Sequence, residues 1–133
     1  MPLVACAAAS PDVLYVSPTG NDAWSGKLAD ANAAKSDGSL ASLVAARDAI
    51  RKLKAAGPLT APVEVRLRGG IYRPQVMLTF EPQDSGTAEC PISYVAYPDE
   101  TPVISGGVPI TGFQPWRGQI VCADLPESLP PET

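Results

Sequence analysis

The chain has 133 residues, a formal net charge of −4 and no histidine, which is the length of one domain with a modest core. Its acidic balance, with a pI near 4.6, argues against a nucleic-acid binder, which needs a basic surface to neutralise phosphates. Charged content of only 18% beside 15 Pro and 11 Gly favours short strands and turns over long helices, and no apolar run approaches the ~18 residues needed for a membrane span.

Residues 1–12 read as the remnant of an export signal or a disordered start. Leu3-Val4-Ala5-Cys6 has the form of a lipoprotein cleavage box, which would make Cys6 a lipid anchor, and Ala7-Ala8-Ala9-Ser10 equally resembles the small-residue end of a secretory signal. With Cys6 lipidated, Cys90 and Cys122 would remain as a pair for an oxidising compartment. Buried free thiols packing as small hydrophobes are the alternative.

Val13-Leu14-Tyr15-Val16 predicts a first strand, and Ser17-Pro18-Thr19-Gly20-Asn21-Asp22 a dense turn. Residues 23–39, small and polar, form a loop. A helix follows over Leu43–Ala56, capped by Ser42. Its apolar stripe is Leu43, Val44, Ala46, Ile50 and Leu53. Arg51, Lys52 and Lys54 complement its carbonyl end, and Gly57-Pro58 stops it. Arg47 falls within the stripe, so its stem should lie on the core with its head in water. Asp48, Glu64 and Asp84 are the candidate partners.

Strict alternation sets in after Pro62. Val63, Val65 and Leu67 should face inward, with Glu64, Arg66 and Arg68 facing out. A glycine pair, Gly69-Gly70, breaks the strand before Ile71-Tyr72. Val76–Phe80 reads as a further strand, and Gln83–Thr87 as a turn. About thirty residues on, the pattern returns as Ile92–Tyr97, a polar turn, Val103-Ile104-Ser105 and a second pair, Gly106-Gly107. Strands and breakers returning at that period suggest a coiled β solenoid, in which each coil needs a neighbour to cover it. A strand at Gln119–Cys122 precedes an irregular Pro-rich end over 123–133.

Without histidine, Ser-His-Asp and Cys-His sites are excluded, as are zinc sites that need imidazole. Carboxylates remain the one available class: Glu81, Asp84, Glu89, Asp99, Glu100 and Asp124. Glycoside hydrolysis needs two of them facing one sugar bond. These sit in turns, where acidic side chains commonly accept from backbone amides, so no catalytic, cofactor-binding or metal-binding residue is assigned. Asn21 and Asp22 could ligate a hard cation or simply build the turn. Trp24, Trp116 and Tyr97 could stack on sugars or cover a core edge. Arg66, Arg68 and Arg73 could attract acidic polysaccharide or keep a sheet flank soluble.

Taken in order, Tyr15–Asp22, the helix with Ala46-Arg47-Asp48-Ala49, Leu67–Tyr72, Asp84–Thr87, Ala96-Tyr97-Pro98 and Pro102–Gly107 resemble the start of a secreted right-handed parallel β-helix protein. The likeness is to the pectin-lyase-like superfamily, especially its β-helix glycoside hydrolases of fucosidase and xylanase type. It covers roughly Val13–Phe113. The resemblance implies a mostly β fold: the start of a right-handed parallel β-helix of about two coils, with one capping α-helix, over residues 13–122.

It further implies the amino-terminal segment of a secreted, periplasmic or cell-surface bacterial protein that acts on polysaccharide, with its catalytic carboxylates outside this chain. No cofactor is expected. A non-catalytic adhesive β-helix and a polysaccharide lyase share the same first coils. An uncovered last coil should promote self-association.

Overall fold

Alternation decides the strands. In the computed structural model, which describes residues 9–127, β2 (Val63–Leu67) buries Val63, Val65 and Leu67 and turns Glu64 and Arg66 outward. β1 (Asp12–Val16) buries Leu14 and Val16 in the same way. It takes in Asp12, one residue earlier than the expected disordered start allows. The export-signal reading otherwise falls on residues 1–8, outside the described residues, and so does Cys6. The last residues of the Pro-rich end, 128–133, lie outside them too.

The helix α1 runs Leu43–Ala56, with the Ser42 hydroxyl accepting from the Ala45 N–H. Leu43, Ala46 and Ile50 are buried, and Gly57 ends the helix at φ 155°. Leu53, expected in the stripe, is 38% exposed.

The topology is two parallel stacks. β1, β2 and β4 (Ile92–Ala96) form one sheet in that order, with Leu14, Val65 and Tyr94 in one row. β3 (Gly70–Tyr72) and β5 (Pro102–Ile104) form a second pair, also parallel. β6 (Gln114–Arg117) and β7 (Ile120–Cys122) make a separate antiparallel hairpin that turns at Gly118, φ 59°. No helix among the described residues is long and apolar enough to cross a membrane.

The core lies between α1 and the first two strands of the larger sheet. Leu14, Val16, Val63 and Val65 are its largest fully buried side chains. Tyr72 closes one side, its hydroxyl shared between the carbonyls of Val16 (2.9 Å) and Arg68 (2.7 Å). Burial pushes its phenol up to about 12.

Burial falls off sharply in chain order. β4 has no fully buried residue, and both strands of the hairpin are exposed throughout. Only the first edge is sealed. Tyr15 N–H donates to Gly26 O (2.7 Å), Leu40 N–H to Tyr15 O (2.9 Å) and Ser17 N–H to Leu40 O (2.8 Å), so the 26–40 loop covers β1. Gly20 permits this approach: a Cβ there would come within 2.2 Å of the Leu40 carbonyl oxygen.

Three expectations need correction. Val76–Phe80 is not a strand. It gains no ladder partner, and its Met77 is 85% exposed. The two glycine pairs are not equivalent, since Gly70 opens β3 at φ 126° whereas Gly106-Gly107 follow β5. What is layered is the strands beside them, with Gly70 opposite Pro102. Finally, Cys90 is disulfide-bonded but Cys122 is free. The Cys90–Cys122 pairing, one of the two alternatives the sequence left open, is therefore not formed, and Cys122 stands exposed on the hairpin.

Candidate functional site

The turns at the end of the larger sheet hold a polar recess, a cavity of about 430 Å³ lined by Thr19, Asp30, Arg68, Gly69 and Glu100 among others. Its geometry follows from the strand parity. Arg68 comes one residue after β2, pointing outward, while Glu100 sits in the turn between β4 and β5, beside it on the neighbouring strand.

Arg68 joins three parts of the chain. Its Nε and Nη2 donate to Glu100 at 2.9–3.0 Å, and its Nη1 donates to Asp30 Oδ1 (2.8 Å) and Ala29 O (2.9 Å) in the loop. Glu100 Oε2 also accepts the Gly69 N–H at 2.6 Å. The Arg68 guanidinium lies 4.7 Å from the Tyr97 ring centre, and Tyr97 packs on Tyr15 at 6.2 Å. Arg68 hydrogen bonding, helped by the Gly69 amide, holds the Glu100 carboxyl below its ordinary range. Glu100 is therefore a poor proton donor at neutral pH, and its two oxygens are already engaged.

The other candidate carboxylates are similarly placed. Asp84 accepts from Arg51 Nε (2.6 Å) and Nη2 (2.7 Å), and from the Glu81 amide (2.7 Å). Arg51 holds it well below the usual carboxylate range. Glu81 accepts from the same guanidinium at 3.0 Å. Asp99 occupies its turn at φ 61° and is exposed. Glu89 and Asp124 are not brought to the recess.

Asp22 works as a helix anchor. It accepts the amides of Ala41 and Ser42, each at 2.8 Å, and the Ser42 hydroxyl at 2.8 Å. Asn21 accepts from the Ala23 amide at 2.9 Å, so both residues build the turn. Among the described residues no group of three or more His, Cys, Asp or Glu is arranged to hold a metal ion.

Of the aromatic candidates, Trp24 lies against Gly38, where a Cβ would meet the ring at 2.7 Å. Trp116 is 62% exposed on the hairpin, with the Arg117 guanidinium 4.9 Å from its ring centre. Arg66 pairs with Glu64 on the outer face. Arg73 lines a second, more apolar cavity of about 460 Å³ between the start of α1 and the segment after β3. Arg47 binds Asp48 (2.8 Å) and the Thr79 carbonyl (2.7 Å).

Sequence reasoning missed Asp30 and Asp37. Asp37 ties the loop by accepting the Ser25 amide (2.6 Å), the Ser25 hydroxyl (2.8 Å) and the Gly38 amide (2.9 Å), and the Ser25 amide bond leads in lowering its carboxyl. The Asp37-Gly38 step was the local signal. Asp30 had none, because its partner is distant in sequence.

No protein-family profile matches the sequence, and no curated protein does. A solved structure named a glycoside hydrolase superposes on it with a TM-score of 0.73 and 26% identity, over 86% of this chain and 18% of that one. The chain has a glycoside hydrolase-like fold. It spans less than a fifth of the length of that glycoside hydrolase.

Proposed function

We propose that this chain is the amino-terminal cap and first coils of a right-handed parallel β-helix, within a secreted glycoside hydrolase that acts on polysaccharide. Its catalytic carboxylates lie outside the described residues. The observation that carries the reading is the likeness to a glycoside hydrolase roughly five times as long, since 86% of this chain matches 18% of that one.

Three further features support it. β1, β2 and β4 stack in parallel with no register shift, and β3 and β5 repeat the pattern on a second side. The β2–β4 and β3–β5 pairings are offset by 29 and 32 residues (Val63 to Ile92, Gly70 to Pro102), while the insertion of α1 lengthens the step from β1 to β2. Parallel crossovers of this kind are right-handed in nearly all proteins. Asp84 and Glu100 are held ionised by arginine and amide donors, whereas a glycosidase acid needs a raised pKa and a second carboxylate facing it.

The test has two arms. The isolated chain is expected to release no reducing sugar from a panel of plant and algal polysaccharides. The full reading frame that encodes it is expected to release it. Turnover by the isolated chain that is lost in Glu100→Gln overturns the proposal, and so does a full product inactive on every glycan. Binding without turnover by that product would favour a non-catalytic adhesive β-helix.

A further inference from the structure

Cys90 is disulfide-bonded, yet not to the other cysteine among the described residues. The chain has three cysteines. Cys122 is free and exposed. That leaves Cys6, which lies outside the described residues.

The sheet places Cys90 where such a bond can reach. Cys90 is 4% exposed and comes two residues before Ile92, the start of β4. Ile92 lies beside Val63, and Val63 beside Asp12, the start of β1. The ladder holds one residue earlier as well: Asp12 N–H donates to Pro62 O (2.8 Å) and Val63 N–H to Pro91 O (3.0 Å). Cys90 therefore stands at the end of the sheet where β1 begins. Two strand spacings, about 10 Å in all, separate Asp12 from Ile92. The six residues from Cys6 to Asp12 can span about 20 Å.

We propose that Cys6 and Cys90 are joined in a disulfide that clasps the entry of β1 to the entry of β4, across β2. The ring so closed contains β1, α1 and β2, which supply most of the buried core. Two thiols lose two protons and two electrons as the S–S bond forms, and a second disulfide, such as oxidised glutathione, takes them up to become two thiols. The clasp belongs to an oxidising compartment. A lipid on Cys6 would occupy the same sulfur, so a lipid anchor there and the clasp exclude one another. The pairing stands on the cysteines and the strand register, not on the carbohydrate reading.

The 133-residue chain, refolded with reduced and oxidised glutathione and then blocked with a maleimide, should carry the label on Cys122 alone. Its non-reducing proteolytic map should join the peptide holding Cys6 to the one holding Cys90. Cys122→Ser should keep that link and leave no thiol to label. Cys90→Ser should free Cys6 for labelling and lower the urea midpoint as far as dithiothreitol lowers that of the wild type, because the ring restrains mainly the unfolded chain. If Cys90→Ser does not fold, the map of the Cys122→Ser chain decides. Any link through Cys122, a link between two chains, labelling of all three cysteines, or a lipid on Cys6 of the exported protein would overturn the proposal.

Discussion

Arg68 and Tyr72 show how single side chains fasten strands and turns that lie far apart in sequence. Arg68 binds a loop before its strand and a turn after it, and the Tyr72 hydroxyl reaches back to the backbone of β1. Both act through chain segments that sequence separates by about one coil. Tyr72→Phe keeps the ring but removes the shared hydroxyl. Val16 O still accepts the Arg68 N–H at 2.8 Å, so the loss falls mainly on the Arg68 carbonyl. We expect destabilisation of about 1–2 kcal/mol, read from urea unfolding with an unchanged circular dichroism spectrum.

At the scale of elements, α1 is bound on one flank by a row of cations. Arg47 reaches Thr79 O, Arg51 reaches Asp84 and Glu81, and Lys54 reaches Ser85 O at 2.7 Å. Arg51 and Lys54 were expected to serve the helix carbonyl end, and Arg47 to reach water. Instead they hold the segment from Thr79 to Ser85, which includes one turn of 3₁₀ helix at Pro82–Asp84 and overlaps the turn expected at Gln83–Thr87.

The Arg51 hydrogen bonds lower Asp84 well below the ordinary carboxylate range. A depressed folded pKa contributes stability that is complete above the unfolded value of ~3.9 and is lost as pH falls through the folded one. The urea midpoint should therefore stay level from neutral pH down to roughly pH 5 and then fall. Arg51→Met should lower the midpoint at neutral pH and flatten that acid slope. An acid slope as steep in the variant as in the wild type would assign the effect elsewhere.

What was legible in the sequence was whatever a local period dictates. Val63–Leu67 declared itself by alternation, and Leu43–Ala56 by a helical stripe between Ser42 and Gly57. Val76–Phe80 alternates less clearly, and a strand exists only where a neighbour supplies its ladder. The same limit hid the Arg68–Asp30 contact and left the Cys90 pairing open. Those are facts of three-dimensional proximity, and no spacing encodes them.

For the molecule as a whole, the gradient of burial is the main property. Leu14 and Val65 are 2% and 0% exposed, whereas Trp116 and Val121 are 62% and 54%. Native-state hydrogen exchange should follow that order, slowest in β1, β2 and α1 and fastest in the β6–β7 hairpin. Equal protection in the hairpin and β2 would contradict it.

The sealed edge of β1 also gives the fold a direction in time. Ribosomes release the amino terminus first, and here that portion carries its own cover before β4 has been made. Each finished strand then presents a ready ladder to the next one translated. Growth along the stack would thus follow the order of synthesis, with the completed front serving as mould for whatever emerges behind it.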